Sequence, residues 1–215
     1  MLTTPDKRLA LLAYEKVLAL IMSGEAQPGS MVHERRLADM LQMSRTPVRD
    51  ALLMLEGEGL VLRQGARGLQ VRQLRVEEFL HALQVRILLE PEAAKRAAGR
   101  LKKADLMALS DRVTAICTDP DAVERTEIRA VDNSLHDLIA DTAGNPQMAS
   151  IIRTMRRQTQ VFDLKSLPER IEGTSAEHLN LIDALGKDDG DAAALVMKLH
   201  LEEVRRSIVV RLTGG

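Results

Sequence analysis

The spacing of apolar residues predicts helices over most of the chain. In the first quarter of the sequence, apolar side chains recur three and four residues apart, the repeat that gives a helix one apolar face. Gly24 and the pair Pro28-Gly29 separate the first helix from the second. The repeat predicts three helices: Arg8 to Ser23, Glu34 to about Gln42, and one that is capped by Ser44 and ends at Gly57.

The period changes after Gly59. Residues 60–63 and 69–72 have the composition of two short strands, and the glycine-containing segment 64–68 between them suits a hairpin loop. We therefore predict a first domain, residues 1–74, of three helices and a two-stranded ribbon.

The remaining residues, 75–215, contain no strand pattern and no internal repeat. Breaks at Asp119-Pro120, Gly144 to Pro146 and Gly186 to Gly190 divide them into helices, which predicts an all-helical bundle. The expected fold class is therefore mostly α, with six helices in the second domain: Val76–Gly99, Lys103–Cys117, Asp121–Ala143, Pro146–Phe162, Ser175–Lys187 and Asp189–Leu212.

Composition narrows the functions that this chain can have. The only aromatic residues are Tyr14, Phe79 and Phe162, so the core must be aliphatic, and base stacking on aromatic side chains is not expected as a mode of binding. The single Cys117 cannot form an internal disulfide, which fits a reducing cytoplasm. No apolar run approaches the roughly 20 residues of a membrane span, and no signal peptide is expected.

The charge is unevenly distributed between the two halves. Up to Arg75 there are eleven Lys or Arg against eight Asp or Glu, whereas the rest has nineteen against twenty-three. A polyanion partner is therefore expected only for the first domain.

Two arginines at the start of the third helix indicate what that partner is. Arg45 and Arg49 are four residues apart, so they project from the same side of the helix, opposite its apolar stripe. Two helices, a tight turn, a third helix and a hairpin form the winged helix-turn-helix plan, in which the start of the third helix enters the major groove of DNA. There, arginine binds guanine edges and phosphates.

Other residues are placed to support the same contact. Ser44 and Thr46 can cap the helix or donate to phosphate, Arg35 can hold the DNA backbone, and Arg67 can reach a groove from the hairpin tip. The alternative is a solvated basic face, which would be the better interpretation for a single arginine. Four arginines on this order of elements favour double-stranded DNA.

The segment HERRLADMLQMSRTPVRDALLMLEGEGLV, followed by RQGARGLQV, resembles the DNA-binding domain of the GntR family of bacterial transcription regulators. The resemblance implies that five residues meet the operator: Arg35, Arg45, Thr46, Arg49 and Gly65. The sequence departs from the family at His33 and Met43, where smaller residues are common.

Three of the five histidines, His136, His178 and His200, lie on apolar helical stripes. Asp132 precedes His136 by one turn, a spacing that can chelate one cation. Three imidazoles and a carboxylate suit Zn, Ni, Mn or Fe. The alternative is hydrogen-bonded core histidines, and spacing alone leaves the two interpretations about even.

The segments VRILLEPEAAKRAA, DNSLHDLIADTAGNP and EHLNLIDALGKDDGDAAALVMKLH resemble the FCD ligand-binding domain of the FadR branch of that family, and six helices are similar to its VanR-type subgroup. The resemblance implies that Asp132, His136, His178 and His200 hold a divalent metal, which binds a small carboxylate effector. Arg86 is the candidate to assist that effector; the alternative is an Arg86–Glu90 pair on the helix surface.

These observations predict a cytoplasmic, homodimeric transcription regulator, most simply a repressor, that binds an inverted repeat and responds to a small organic acid. Two alternatives stay open: a metal-dependent enzyme fused to a DNA-binding module, and a direct metal sensor. Against the enzyme, the sequence has no convincing general base, serine nucleophile motif or nucleotide-binding loop.

Overall fold

A computed structural model describes residues 4–73, 75–162 and 170–213. The chain divides into two compact units. The first comprises the described residues of 1–79 and 157–165, and the second those of 80–156 and 166–215. Leu74, Met1 and Gly215, which bound the predicted domains, lie outside the described residues.

The first unit begins with the three predicted helices, α1 (Thr4–Ser23), α2 (Glu34–Leu41) and α3 (Arg45–Gly57). Ser44 occupies the N-cap position of α3 with extended backbone angles, although its hydroxyl makes no capping hydrogen bond. Gln42 adopts a left-handed conformation, with φ of 52°, and so makes the tight turn between α2 and α3.

A small antiparallel sheet follows the helices, in the order β1, β3, β2, with strands β1 (Met31–Val32), β2 (Val61–Arg63) and β3 (Leu69–Val71). The two predicted strands are present as the β2–β3 hairpin, but the sheet has a third strand that was not predicted, because β1 also pairs with β3. A segment of two residues is too short to display the alternation that reveals a strand. Val61 faces Val71 across the hairpin, and a single 3₁₀ turn, Gly65–Arg67, fills its loop.

One aliphatic core joins these elements. It contains side chains from α1, α2, α3, β2 and β3 and from Leu60, just before β2. Among them are Ile21, Leu52, Leu55 and Val71. Burying α3 on this face leaves its opposite face, with Arg45 and Arg49, exposed to solvent.

The second unit is built from helices, as predicted; the six helices that follow β3 in the described chain are α4 (Val76–Ala97), α5 (Lys103–Thr118), α6 (Arg125–Thr142), α7 (Pro146–Phe162), α8 (Ile171–Gly186) and α9 (Gly190–Thr213). Two predicted starts were wrong. Asp119 accepts a hydrogen bond from the Ala122 backbone and closes a 3₁₀ turn, so α6 begins only at Arg125. Helix α8 begins before Ser175, at Ile171.

The helices of the second unit pack through small and aliphatic side chains. Helix α5 lies against α6 and α8, and α8 lies against α9. Gly99, just after α4, has a φ of 70°, and a Cβ there would lie 1.8 Å from Oδ1 of Asp188. A residue with a Cβ at position 99 would therefore be strained in this left-handed conformation, and it would displace the side chain of Asp188 in the loop between α8 and α9.

In the described chain, no helix combines the length and the apolar character that a membrane span requires.

Candidate functional site

The first turn of α3 presents the two arginines that the sequence analysis singled out. Their side chains are 62% and 58% exposed for Arg45 and Arg49, whereas Val48, Ala51 and Leu52 of the same helix are buried. All seven candidate DNA-binding residues are exposed: Arg35, Ser44, Arg45, Thr46, Arg49, Gly65 and Arg67. They are therefore accessible to a large polyanion, and their contact with DNA stays a prediction.

Glu34, at the start of α2, binds both arginines of α3. Its Oε1 lies 2.9 Å from Nε of Arg45, and its Oε2 lies 2.9 Å from Nε of Arg49. Arg49 also donates from Nη2 to Oε1, at 3.0 Å. The hydrogen bonds from Arg49 are the main reason that the pKa of Glu34 lies below its ordinary value. One carboxylate thus orients both guanidinium groups.

The loop of the β2–β3 hairpin is exposed to solvent at Gly65 and Arg67. Gly65 has a φ of 56°, a conformation that favours glycine, and a Cβ on it would meet nothing within 4 Å. Arg67 ends the 3₁₀ turn and is exposed. The glycine is therefore explained by its backbone conformation, and the space above it is free for a ligand to approach.

In the second unit, three histidines from three helices converge on one buried point. His136 of α6, His178 of α8 and His200 of α9 are at most 3% exposed. Their ring centroids are 4.9 to 5.6 Å apart, and one ligand atom from each lies within 4.8 Å of the others. The three residues are therefore close enough together to hold one ion.

Asp132 completes this group. Its Oδ1 lies 3.7 Å from Nε2 of His136 and 3.5 Å from Nε2 of His178. An ion about 2.0–2.1 Å from tetrahedral ligands separates those ligand atoms by about 3.4 Å. The spacing of the carboxylate and the two imidazoles is close to that value.

Two of the ring nitrogens have no hydrogen-bond partner among the described residues. Nε2 of His136 and Nε2 of His178 are both buried and accept or donate no hydrogen bond within the described part of the chain. A buried polar atom without a partner is costly, so such atoms usually face a ligand, an ion or water. The donor set and the two unpartnered nitrogens fit a divalent transition metal.

Burial favours the neutral form of two of these imidazoles, those of His136 and His178. It lowers the pKa of His136 to about 4, and the nearby charge of Arg156 adds to the effect. Burial and the neighbouring His200 likewise lower the pKa of His178 well below its ordinary value. Although burial alone would raise the pKa of Asp132, the charge of Arg156 holds it well below the usual range. Neutral imidazole and ionised carboxylate are the forms that bind metals.

Sequence comparison shows which family combines these two parts. Residues 9–71 match the family of bacterial regulatory proteins named gntR, and residues 81–203, more than half of the chain, match the FCD domain. The chain belongs to the GntR family.

Individual relatives agree with this assignment. The HTH-type transcriptional repressor RspR of Escherichia coli strain K12 is 26% identical over 189 residues, which cover 84% of this chain and 80% of RspR. Among solved structures, E. coli McbR/YncC has a TM-score of 0.82 at 19% identity, covering 99% of this chain and 100% of the other. The metal-free FCD domain of TM0439 has a TM-score of 0.54 at 20% identity, covering 66% and 100%.

The matched relatives are named as transcription regulators, and this GntR protein is a DNA-binding transcription regulator rather than an enzyme. The prediction of the family, of a mostly helical fold and of a regulatory function is thereby confirmed.

Arg86, the predicted effector contact of this GntR protein, forms the pair with Glu90 that was its alternative interpretation. Nε of Arg86 donates to Oε1 of Glu90 at 2.5 Å. The expectation of a surface pair was wrong, because Arg86 is 6% and Glu90 2% exposed. A contact between Arg86 and an effector stays a prediction.

Arg156 of α7 is a functional candidate that the sequence analysis missed. It is 3% exposed, and its Nη2 donates to Oδ2 of Asp132 at 2.7 Å and to Oδ1 of Asn133 at 3.2 Å. A second arginine therefore adjoins the histidines. The sequence did not single it out, because Arg153, Arg156 and Arg157 lie close together in a polar stretch. Nothing in that stretch shows that Arg156 alone of the three is buried.

Proposed function

We propose that this GntR protein is a cytoplasmic, homodimeric repressor whose operator binding is controlled by a small organic acid bound at a metal. The metal would be held by Asp132, His136, His178 and His200. The observation that carries the proposal is the convergence of three imidazoles on one buried point, where two ring nitrogens make no hydrogen bond within the described part of the chain.

The ligand chemistry narrows the metal to a class. Three nitrogens and one carboxylate oxygen suit Zn, Ni, Mn or Fe, whereas Mg and Ca prefer sites made of oxygen. Such ions accept more than four ligands, so a bound ion would keep positions for water or for a carboxylate. When bound, the ion would supply a positive charge and open coordination positions.

The charges around the site favour an anion as the effector. Among the described residues, each of three carboxylates near the histidines already pairs with an arginine: Glu90 with Arg86, Asp132 with Arg156, and Glu177 with Arg170. In each pair the negative and positive charges cancel. A divalent cation would therefore add about two positive charges that these pairs do not offset. Since uncompensated buried charge is costly, an anionic ligand would bind the loaded site more tightly.

The arginines provide the second half of an anion site. A carboxylate on the metal could also accept hydrogen bonds from Arg156, the buried arginine that adjoins Asp132. Arg86 remains the other candidate. Asp132 is 29% exposed, so this edge of the site is the one that a small acid would reach first.

DNA binding would use the seven exposed residues of the first unit. Arg45 and Arg49 would enter the major groove with the start of α3, Arg35, Ser44 and Thr46 would hold phosphates, and Gly65 and Arg67 would approach from the hairpin tip. Two copies related by a two-fold axis would bind an inverted repeat, because the DNA site takes the symmetry of the dimer.

The test uses the full chain purified without chelator. Metal content is measured by mass spectrometry, and operator duplexes are obtained by unbiased selection from random DNA. Operator affinity is then measured with the metal alone and with the metal plus a panel of small carboxylic acids. We expect about one metal per chain and an affinity that changes with at least one acid. An affinity that responds to the metal and to no acid would favour a direct metal sensor instead.

A further inference from the structure

Two of the three histidines have one ring nitrogen bound by a glutamate from a different helix. Nδ1 of His136 in α6 lies 2.5 Å from Oε2 of Glu90 in α4. Nδ1 of His200 in α9 lies 2.7 Å from Oε2 of Glu177 in α8. Because an imidazole has only two nitrogens, each of these rings is left with Nε2 for a further ligand.

Each glutamate is in turn bound by an arginine. Oε1 of Glu90 accepts from Nε of Arg86, and Oε2 of Glu177 accepts from Nη2 of Arg170 at 2.8 Å. Arg170 also donates to Oγ of Ser207 in α9, at 3.2 Å. The two carboxylates are therefore held in place by arginines and not only by the histidines. A carboxylate must be fixed in this way if it is to orient a metal-binding histidine.

An ionised carboxylate can only accept hydrogen bonds, so the nitrogen that faces it must carry a proton. Nδ1–H then donates to the glutamate, and the lone pair of the ring lies on Nε2. Carboxylates that bind the outer nitrogen of a metal-binding histidine fix its orientation and increase its basicity.

We propose that Glu90 and Glu177 are positioning residues, which set His136 and His200 as Nε2 ligands before a metal arrives. This inference rests on the proposed metal site and adds to it two residues that contact no metal. From the sequence pattern, Glu90 was expected only as a partner of Arg86, and nothing in the pattern indicated a role for Glu177. Glu177 directly precedes His178, so α8 supplies both a ligand and a positioning carboxylate.

The two glutamates differ in a way that gives a sharp test. Glu90 uses both oxygens, one for Arg86 and one for His136, and both partners are donors. In Glu90→Gln, one of those donors must face an NH₂ group. Glu177 receives His200 and Arg170 on the same oxygen, Oε2. In Glu177→Gln, the single amide oxygen can still accept from both.

Zinc affinity distinguishes the variant that disturbs the hydrogen bonds of its glutamate from the variant that preserves them. Full-length protein is stripped of metal and titrated with Zn²⁺ in competition with a chromophoric chelator. We expect Glu90→Gln to weaken zinc binding by about 10- to 100-fold, the usual effect of removing such a partner, and Glu177→Ala by about tenfold. Glu177→Gln should stay within about threefold of the wild type, because its hydrogen-bond pattern is preserved.

A matched control is Glu92→Gln. Glu92 lies on α4 two residues beyond Glu90, is 46% exposed and pairs with Arg96. It should bind zinc as the wild type does. Circular dichroism of each metal-free variant checks that it is folded.

A second measurement needs no variant and so does not depend on the folding of Glu90→Gln. Long-range ¹H–¹⁵N NMR spectra of ¹⁵N-labelled wild-type protein report which nitrogen of each imidazole carries the proton. We expect protonated Nδ1 and zinc-bound Nε2 for His136 and His200. Coordination through Nδ1, or unchanged affinity in Glu90→Gln and Glu177→Ala, would overturn the inference while leaving the metal site intact. Wild-type protein that binds no metal would overturn both.

Discussion

Asp132 directs one oxygen to Arg156 and the other to the histidines. Nη2 of Arg156 lies 2.7 Å from Oδ2, whereas Oδ1 lies 3.5 Å from Nε2 of His178. One carboxylate thus lies between the buried histidines and a buried guanidinium. In the proposed function, an anion bound to both a metal and Arg156 would change the interactions of Asp132, and so would act on α6 and α7 together.

Arg156→Lys tests that arrangement. Lysine keeps the positive charge beside Asp132 but has no planar fork for a carboxylate. We expect zinc affinity within about threefold of the wild type and affinity for the active acid about tenfold weaker. Both are measured by calorimetric titration. Arg153→Lys is the control, since Arg153 lies one turn away on α7 and pairs with Asp141. Equal loss of acid affinity in both variants would exclude a specific role for Arg156.

His178→Ala tests the metal site itself. Removing one of four ligands should lower bound metal well below one per chain. Addition of Zn²⁺ at about 100 times its dissociation constant should stabilise the wild type by about 2.7 kcal/mol, which raises Tm by about 5–11 °C, and this gain should disappear in the variant. His81→Ala is the control, because His81 is exposed on α4. A variant with the metal content of the wild type would refute the ligand role.

Arg49→Ala tests the DNA interface. Loss of this side chain should weaken operator binding by about 1–3 kcal/mol and reduce the salt dependence of the affinity by about one ion. Fluorescence anisotropy at several salt concentrations measures both. Arg96→Ala, at an exposed arginine of α4 paired with Glu92, should change neither. If Arg49→Ala binds as tightly as Arg96→Ala does at every salt concentration, α3 does not recognise the operator.

Glu34→Gln tests what the carboxylate between the two arginines contributes. Removing a negative charge beside phosphates should raise affinity for random duplex DNA by a few-fold, most at low salt. The ratio of operator to random affinity should fall, because Arg45 and Arg49 lose the partner that orients them. The same anisotropy titrations give this ratio. An unchanged ratio would show that Glu34 does not position the arginines for base recognition.

The helical repeat predicted most of the fold because most helices carry an apolar stripe and several are followed within three residues by glycine or proline. Helix α7 has the predicted bounds, Pro146–Phe162. The repeat did not reveal β1, whose two residues gain their structure only by pairing with β3. Nor did it locate the start of α6, which depends on a side-chain hydrogen bond of Asp119.

The residues of the candidate site could be predicted where neighbouring residues on one helix indicate them. Asp132 and His136 are one turn apart, and the stripes that hold His178 and His200 face the core. The partners of these residues were not predictable in the same way. Glu90 and His136 are 46 residues apart, and Arg156 and Asp132 are 24 apart. Such pairs are made by the packing of different helices, which the period of one helix does not report.

The central claim is that an acid bound at the histidines controls the affinity of the protein for its operator. Operator binding by metal-loaded protein tests this claim most directly. Wild type and His178→Ala are titrated with selected operator DNA in the presence of zinc, with and without each acid of the panel. We expect at least one acid to change the operator affinity of the wild type by about fivefold or more and to leave that of His178→Ala unchanged. An equal response of both proteins, or no response to any acid, would contradict it.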